Sequence, residues 1–144
     1  MNKICIIDGQ GGGIGAFIIK KFRETFDESL ELIALGTNAI ATAQMLKAKA
    51  NRGASGENAI VQTVKQADLI IGPMGIVMAN AMMGEVTPKM AEAVASSPAK
   101  KILLPLLQEN VVIVGTTAIP LPHLLDELIE KHLKTLDSLK VIGL

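Results

Sequence analysis

An unbroken apolar run, Ile4 to Ile7, ends at Asp8 and is followed by five glycines between positions 9 and 15. The run lacks the two-residue alternation of a half-exposed strand, so it predicts a central strand buried on both faces. Beyond the glycines, Ile14, Phe17, Ile18, Ile19, Phe22 and Phe26 recur at helical spacing. The chain therefore opens as strand, glycine turn, helix. A strand covered on both faces needs helices on both sides of its sheet, which points to parallel pairing with right-handed crossovers.

The rest of the chain repeats this alternation. Leu30 to Leu35 reads as a second strand closed by Gly36, and a helix from Ala39 to about Ala50 follows, with Thr37 or Asn38 as its cap. Asn51 to Gly56 reads as a loop by composition. Ser55 is the expected cap of a helix running to Gln66, although Ala59 to Val64 also fits a short strand. Asp68 to Ile71 reads as a strand ended by Gly72-Pro73, with a helix from Met74 or Gly75 to Met83. Thr87-Pro88 combines a capping hydroxyl with proline at the first helical position, so a helix runs to about Ala95. Lys101 to Leu104 and Val111 to Val114 are the last strands, too close in sequence for a helical crossover, which leaves room for an antiparallel hairpin at one edge. After Pro120 an amphipathic helix reaches to about residue 139, its apolar positions including Leu124, Leu128, Leu133 and Leu136. The expectation is one α/β domain over 1–144, a three-layer αβα sandwich on a mostly parallel sheet of five to six strands.

Glycines between a buried strand and a helix, in the first unit of an alternating fold, stand where such folds hold a phosphate or dinucleotide. Main-chain N–H groups left unpaired beyond the strand point at the anion, and the helix dipole adds to the attraction. Asp8, Gly9, Gln10, Gly11, Gly12, Gly13, Ile14 and Gly15 make up this expected cradle. Gly11-x-Gly13-x-x-Ala16 fits the dinucleotide fingerprint, with alanine in the third place. Gly9-x-x-x-Gly13-Ile14-Gly15 resembles the loop of short-chain dehydrogenases, but the tyrosine of that family's catalytic pair has no counterpart in a chain without tyrosine. The alternative is a turn needed only for tight strand–helix packing.

NAD sites usually carry a carboxylate for the adenosine ribose about 20 residues on, at the end of the second strand. Here Gly36-Thr37-Asn38 stands there, with neither a carboxylate nor an arginine for a 2′-phosphate. Thr37 and Asn38 offer weaker hydrogen bonds to a ribose, or simple helix capping. Asp8 suits a sugar hydroxyl, a magnesium-bound water or an ordinary turn. Gly72, Pro73 and Gly75 are expected to wall the cleft. A second candidate site is Arg52, Ser55, Gly56 and Glu57: an arginine clamp for phosphate or carboxylate, an amide nest, and an acid–base group. Its alternative is a capped turn with a solvated arginine. Met74, Met78 and Met82 recur every four residues and read as core filling or a subunit contact.

Several function classes drop out. Lysine plus arginine equals aspartate plus glutamate at 14 each, and three phenylalanines are the only aromatics, so nucleic acid finds neither a basic stripe nor stacking surfaces. Cys5 is the only cysteine, which excludes a disulfide framework. The longest uncharged stretch, Leu69 to Gly84, spans 16 residues and is too short for a membrane span. The apolar run near the N-terminus is too short for a signal-peptide core, so a cytoplasmic protein is expected. His123 and His132 lie nine apart, away from zinc-binding spacing.

Four stretches carry a resemblance over most of the chain: Ile7 to Gly15, Ala34 to Ala39, Asn51 to Ala59 and Ile71 to Ile76, with similarity continuing through Gly84-Glu85-Val86-Thr87-Pro88. They resemble the bacterial family catalogued as domain of unknown function 3842. The resemblance implies a Rossmann-like fold and brings no activity, substrate or catalytic residue. Three functions remain open. The first is a protein binding NAD(P) or another nucleotide, a phosphate-containing small molecule, at the glycine loop. The second is a cofactor-free enzyme acting on a phosphorylated small molecule. The third is a homo-oligomeric interaction module.

Overall fold

The structure is a computed structural model that describes residues 3–26, 28–106 and 110–133. Five strands, β1 (Ile4–Asp8), β2 (Leu32–Gly36), β3 (Arg52–Ser55), β4 (Leu69–Pro73) and β5 (Lys100–Leu104), form one sheet in the order β3-β2-β1-β4-β5. Every pairing is parallel. The helices are α1 (Gly13–Phe26), α2 (Ala39–Lys47), α3 (Glu57–Thr63), α4 (Pro88–Ser96) and α5 (Leu121–Glu127), the last continuing as wider π-helical turns over Leu128–Leu133.

Alternate residues of the central strands enter opposite cores, as parallel strands covered on both faces require. Ile4, Ile6, Leu32, Ala34, Leu69 and Ile71 pack with Ile18, Ile19 and Phe22 of α1, Met45 of α2 and Leu125 of α5. Cys5, Ile7, Ile33, Leu35 and Ile70 pack with Ile60 of α3 and Met90 and Val94 of α4. The expected three-layer αβα arrangement is thus present, with a Rossmann-like strand order.

Caps occur where the chemistry predicts them. Asn38 Oδ1 accepts from Ala41 N at 2.8 Å, and Thr87 Oγ1 accepts from Met90 N at 3.1 Å. Four local expectations are corrected. Arg52–Ser55 is an edge strand rather than loop, because Asn51 N and Gly56 N anchor both its ends to β2, donating to Leu32 O and Gly36 O at 2.9 Å. Ser55 caps nothing; Gly56 occupies the cap position of α3, and Ser55 Oγ donates to Thr42 Oγ1 at 2.7 Å. The stretch from 59 to 64 is helical, within the expected helix to Gln66, so only its alternative reading as a strand falls away.

Residues 74–83 form one 3-10 turn, Met74–Val77, followed by a tight loop with positive φ at Asn80, Met82, Met83 and Gly84. Ile76, Ala81, Met82 and Val86 are buried in one core by that loop, so the apolar run needs no helix and the methionine spacing marks no helical face. Finally, Val111 to Val114 pairs with nothing in the sheet: Val112 and Val114 are 83% and 95% exposed. With no hairpin at β5, the sheet of described residues is wholly parallel. Positions 134–139 of the expected terminal helix lie outside the described residues.

Candidate functional site

The carboxyl ends of the strands converge where the chain reverses direction across the sheet, between β1 and β4. Loops leaving these two strands diverge and open a crevice, the usual ligand position in doubly wound sheets. A cleft of about 430 Å³ lies there. Gln10 and Ile14 line it from the glycine turn, and Pro73 and Gly75 from the end of β4. Pro105 and Leu106 follow β5, Thr117 to Ile119 cross above, and Met82 and Leu124 complete the wall. The side chains lining it are apolar apart from Gln10 and Thr117. Gly72 stays out of it: a Cβ there would run into Ile7 O of the neighbouring strand.

The glycine turn is held from beneath by Asp8. Oδ1 accepts from Gly9 N at 2.8 Å and Oδ2 from Gly15 N at 2.7 Å, with the Ile14 amide also bonded to the carboxylate. Asp8 is 3% exposed. Burial raises its pKa above the ordinary value, opposed by those three amides, while the charge of Glu85 adds to the rise. Asp8 is therefore committed to the turn rather than to a sugar hydroxyl or a magnesium water.

The expected row of free amides is likewise shortened. Gly12 N donates to Gly9 O at 2.9 Å, and Gln10 N to Glu85 Oε1 at 2.8 Å. Between positions 9 and 15, only the N–H groups of Gly11 and Gly13 lack a hydrogen-bond partner among the described residues.

The glycines divide the same way. Gly12 has φ +75°, and a Cβ there would meet Ala41 O at 2.7 Å; at Gly15 it would meet Met45 Sδ at 2.5 Å, and at Gly9 Met82 Sδ at 2.6 Å. These three serve packing. A Cβ at Gly11 or Gly13 would meet nothing within 4 Å, and neither has positive φ. Packing gives no reason for glycine at these two positions, whereas close approach of a ligand does. A groove between α1 and α2 runs from Gly13 to Lys20, Lys47 and Lys49, none of which forms an ion pair among the described residues.

Glu85 is the site residue that sequence reasoning missed. Its Oε1 accepts from Gln10 N at 2.8 Å, Thr37 Oγ1 at 2.7 Å and Asn38 Nδ2 at 2.7 Å. The Gln10 amide, then Thr37, hold its pKa below the usual glutamate value; burial opposes them less strongly, and Asn38 adds the smallest lowering. The Thr37 hydroxyl hydrogen goes to this carboxylate, and the Asn38 amide group goes to it, to Gln10 O and to the α2 cap, so neither side chain has a free donor for a ribose. The signal lay outside the reach of local motifs: Glu85 is 48 residues from Thr37 and 75 from Gln10.

The second candidate site comes apart. Arg52 begins β3, at the sheet edge opposite the glycine turn, and pairs with Glu31 at 2.7 Å. Ser55 ends β3 and bonds Thr42. Gly56, at φ +96°, donates its N–H to Gly36 O. Glu57 Oε2 accepts from Thr87 Oγ1 at 2.6 Å, tying α3 to α4. These groups join elements of the fold and do not converge on a common ligand position. Among the described residues, no three His, Cys, Asp or Glu side chains could hold a metal ion, and no helix is long and apolar enough to cross a membrane.

Parallel sheet, glycine turn and switch-point cleft define a Rossmann-like α/β protein. Its chain belongs to the family described as "Domain of unknown function (DUF3842)", whose model matches residues 3–137. No curated protein matches it by sequence. Among solved structures, it is similar to the dodecameric FMN-dependent UbiX-like decarboxylase from Escherichia coli O157:H7, at 17% identity and a TM-score of 0.44, covering 78% of this chain and 69% of that one.

Proposed function

We propose that the whole chain acts as one domain that binds a nucleotide or dinucleotide across the β1–β4 crevice. The observation that carries this reading is the pair Gly11 and Gly13: open amides, no packing reason for glycine, and a cleft of about 430 Å³ alongside. In this pose the two amides take phosphate oxygens at the start of α1. The apolar walls of Ile14, Pro73 and Pro105 take a flat ring or other uncharged portion. Two amides above a buried carboxylate make a weaker anion seat than the full row would. NAD(P) and mononucleotides are the ligand class; no catalytic residue is assigned.

The test is a thermal-shift panel of NAD, NADP, AMP, ATP and sugar phosphates. A ligand at 100 times its dissociation constant adds about 2.7 kcal/mol of stability. The reading predicts a rise in Tm with at least one nucleotide that Gly13→Val abolishes while the variant keeps the unliganded Tm. No response to any nucleotide would overturn it.

A second reading, a homo-oligomeric module, is favoured by Val112, Val114 and Met83, which are 83%, 95% and 94% exposed. Sedimentation that shows only monomer across concentrations would remove it.

A further inference from the structure

The three donors that converge on one oxygen of Glu85 leave its other oxygen, Oε2, without a hydrogen-bond partner among the described residues. Gln10 N comes from the glycine turn, and Thr37 and Asn38 follow directly on the end of β2. The carboxylate thus stands at the end of β2 beside the phosphate-binding turn, where doubly wound folds put the acid that recognises a ribose diol. The residues at the end of β2 itself, Gly36-Thr37-Asn38, include no acid.

From this juxtaposition of Oε2, the end of β2 and the open amides of Gly11 and Gly13, we infer that Glu85 is the ribose-recognising, specificity-determining residue of the site. It selects a dinucleotide with a free 2′-hydroxyl. This deepens the nucleotide-binding reading and rests on it. Oε1 is fixed from three directions, so little side-chain freedom remains to be lost when Oε2 accepts a sugar hydroxyl. Hydrogen bonds to a charged acceptor are among the stronger ones. The same oxygen repels a 2′-phosphate by like charge, and among the described residues no arginine or lysine bonds or pairs with Glu85 to offset that. The ring-bearing end of such a ligand reaches the cleft beyond Ile14, with its phosphates over Gly11 and Gly13.

Titration of the protein and its Glu85→Gln variant with NAD and NADP tests the inference. The glutamine keeps an oxygen for the three donors and replaces Oε2 with an uncharged NH2 donor. Wild-type protein is expected to bind NAD roughly 10- to 100-fold tighter than NADP. Glu85→Gln is expected to lose most of that preference, by weaker NAD binding and stronger NADP binding, with a small fall in Tm because the three donors lose a charged acceptor. Glu85→Ala, read for NAD affinity alone, is expected to lose about tenfold or more. If both dinucleotides bind wild type equally and the ratio does not move in Glu85→Gln, the inference falls and nucleotide binding stands. If wild type binds neither, both fall.

Discussion

Asp8 Oδ2 accepts a 2.7 Å hydrogen bond from Gly15 N, so the acid that ends the first strand lies under the first turn of the helix that follows it. This one contact joins β1, the glycine turn and α1. It also gives the fold a pH dependence with a definite sign. Burial, the largest influence, raises the pKa of Asp8 in the fold. The native state therefore holds that proton more tightly than the unfolded chain. The stabilisation is fully present below the unfolded Asp value and is lost as pH rises through the raised one.

In urea denaturation at successive pH values from the ordinary Asp value upward, the stability of wild type relative to Asp8→Asn is expected to fall with rising pH. Glu85 runs the opposite way: its pKa is lowered, so its contribution is present above the usual glutamate range and is lost as pH falls. Glu85 is common to both proteins, so the difference reports Asp8 together with the like-charge effect of Glu85 on it, which acts in the same direction. A difference that rises with pH would contradict the placement of the carboxylate.

Adjacent glycines of the turn should respond differently to one methyl group. Gly12→Ala forces positive φ on alanine and drives its Cβ against Ala41 O, so a loss of at least about 1–3 kcal/mol is expected. Gly13→Ala meets open space at the start of α1 and is expected to change stability by less than about 1 kcal/mol. Chemical denaturation of the two variants checks this.

Arg23 fastens the opposite edge of the sheet. Its Nε donates to Lys49 O at 2.9 Å, Nη1 to Leu30 O at 2.6 Å and Nη2 to Asn51 Oδ1 at 2.7 Å. Asn51 Oδ1 also accepts from Leu32 N, so the guanidinium ties α1 to the starts of β2 and β3. An ammonium cannot reproduce this three-way fork. Arg23→Lys is expected to cost roughly 1–2 kcal/mol in the same assay.

Cys5 lies in β1 with no exposed surface, and burial, its largest influence, pushes its thiol pKa up to about 12. Its thiolate is therefore scarce at neutral pH. Ellman's reagent is expected to leave the native protein unlabelled and to label one thiol per chain in denaturant. Rapid labelling of native protein would show the strand to be open.

What was legible in the residues followed from local chemistry. The unbroken run Ile4 to Ile7 announced a two-sided strand because no polar residue interrupts it, and Thr87-Pro88 announced a helix start because hydroxyl and ring each have a local job. Arg52 to Ser55 was opaque because its strand character comes from hydrogen bonds to β2, not from its own side chains. Residues 74–83 depart from the helix their sequence predicts for a related reason: burial of Ile76 and Met82 follows from the tertiary path of the loop, which overrides helical propensity. At the site, glycine content identified the turn but not which amides stay open. That depends on Asp8 folding back and on Glu85 arriving from 75 residues away, and no local motif encodes either.

The most direct test of the account is the amide spectrum of 15N-labelled protein during titration with NAD and with AMP. The account predicts that the Gly11 and Gly13 N–H resonances move first and furthest downfield as ligand is added, while those of Gly12 and Gly53 move little. Saturable shifts confined to other surfaces, or none at all from Gly11 and Gly13, would contradict it.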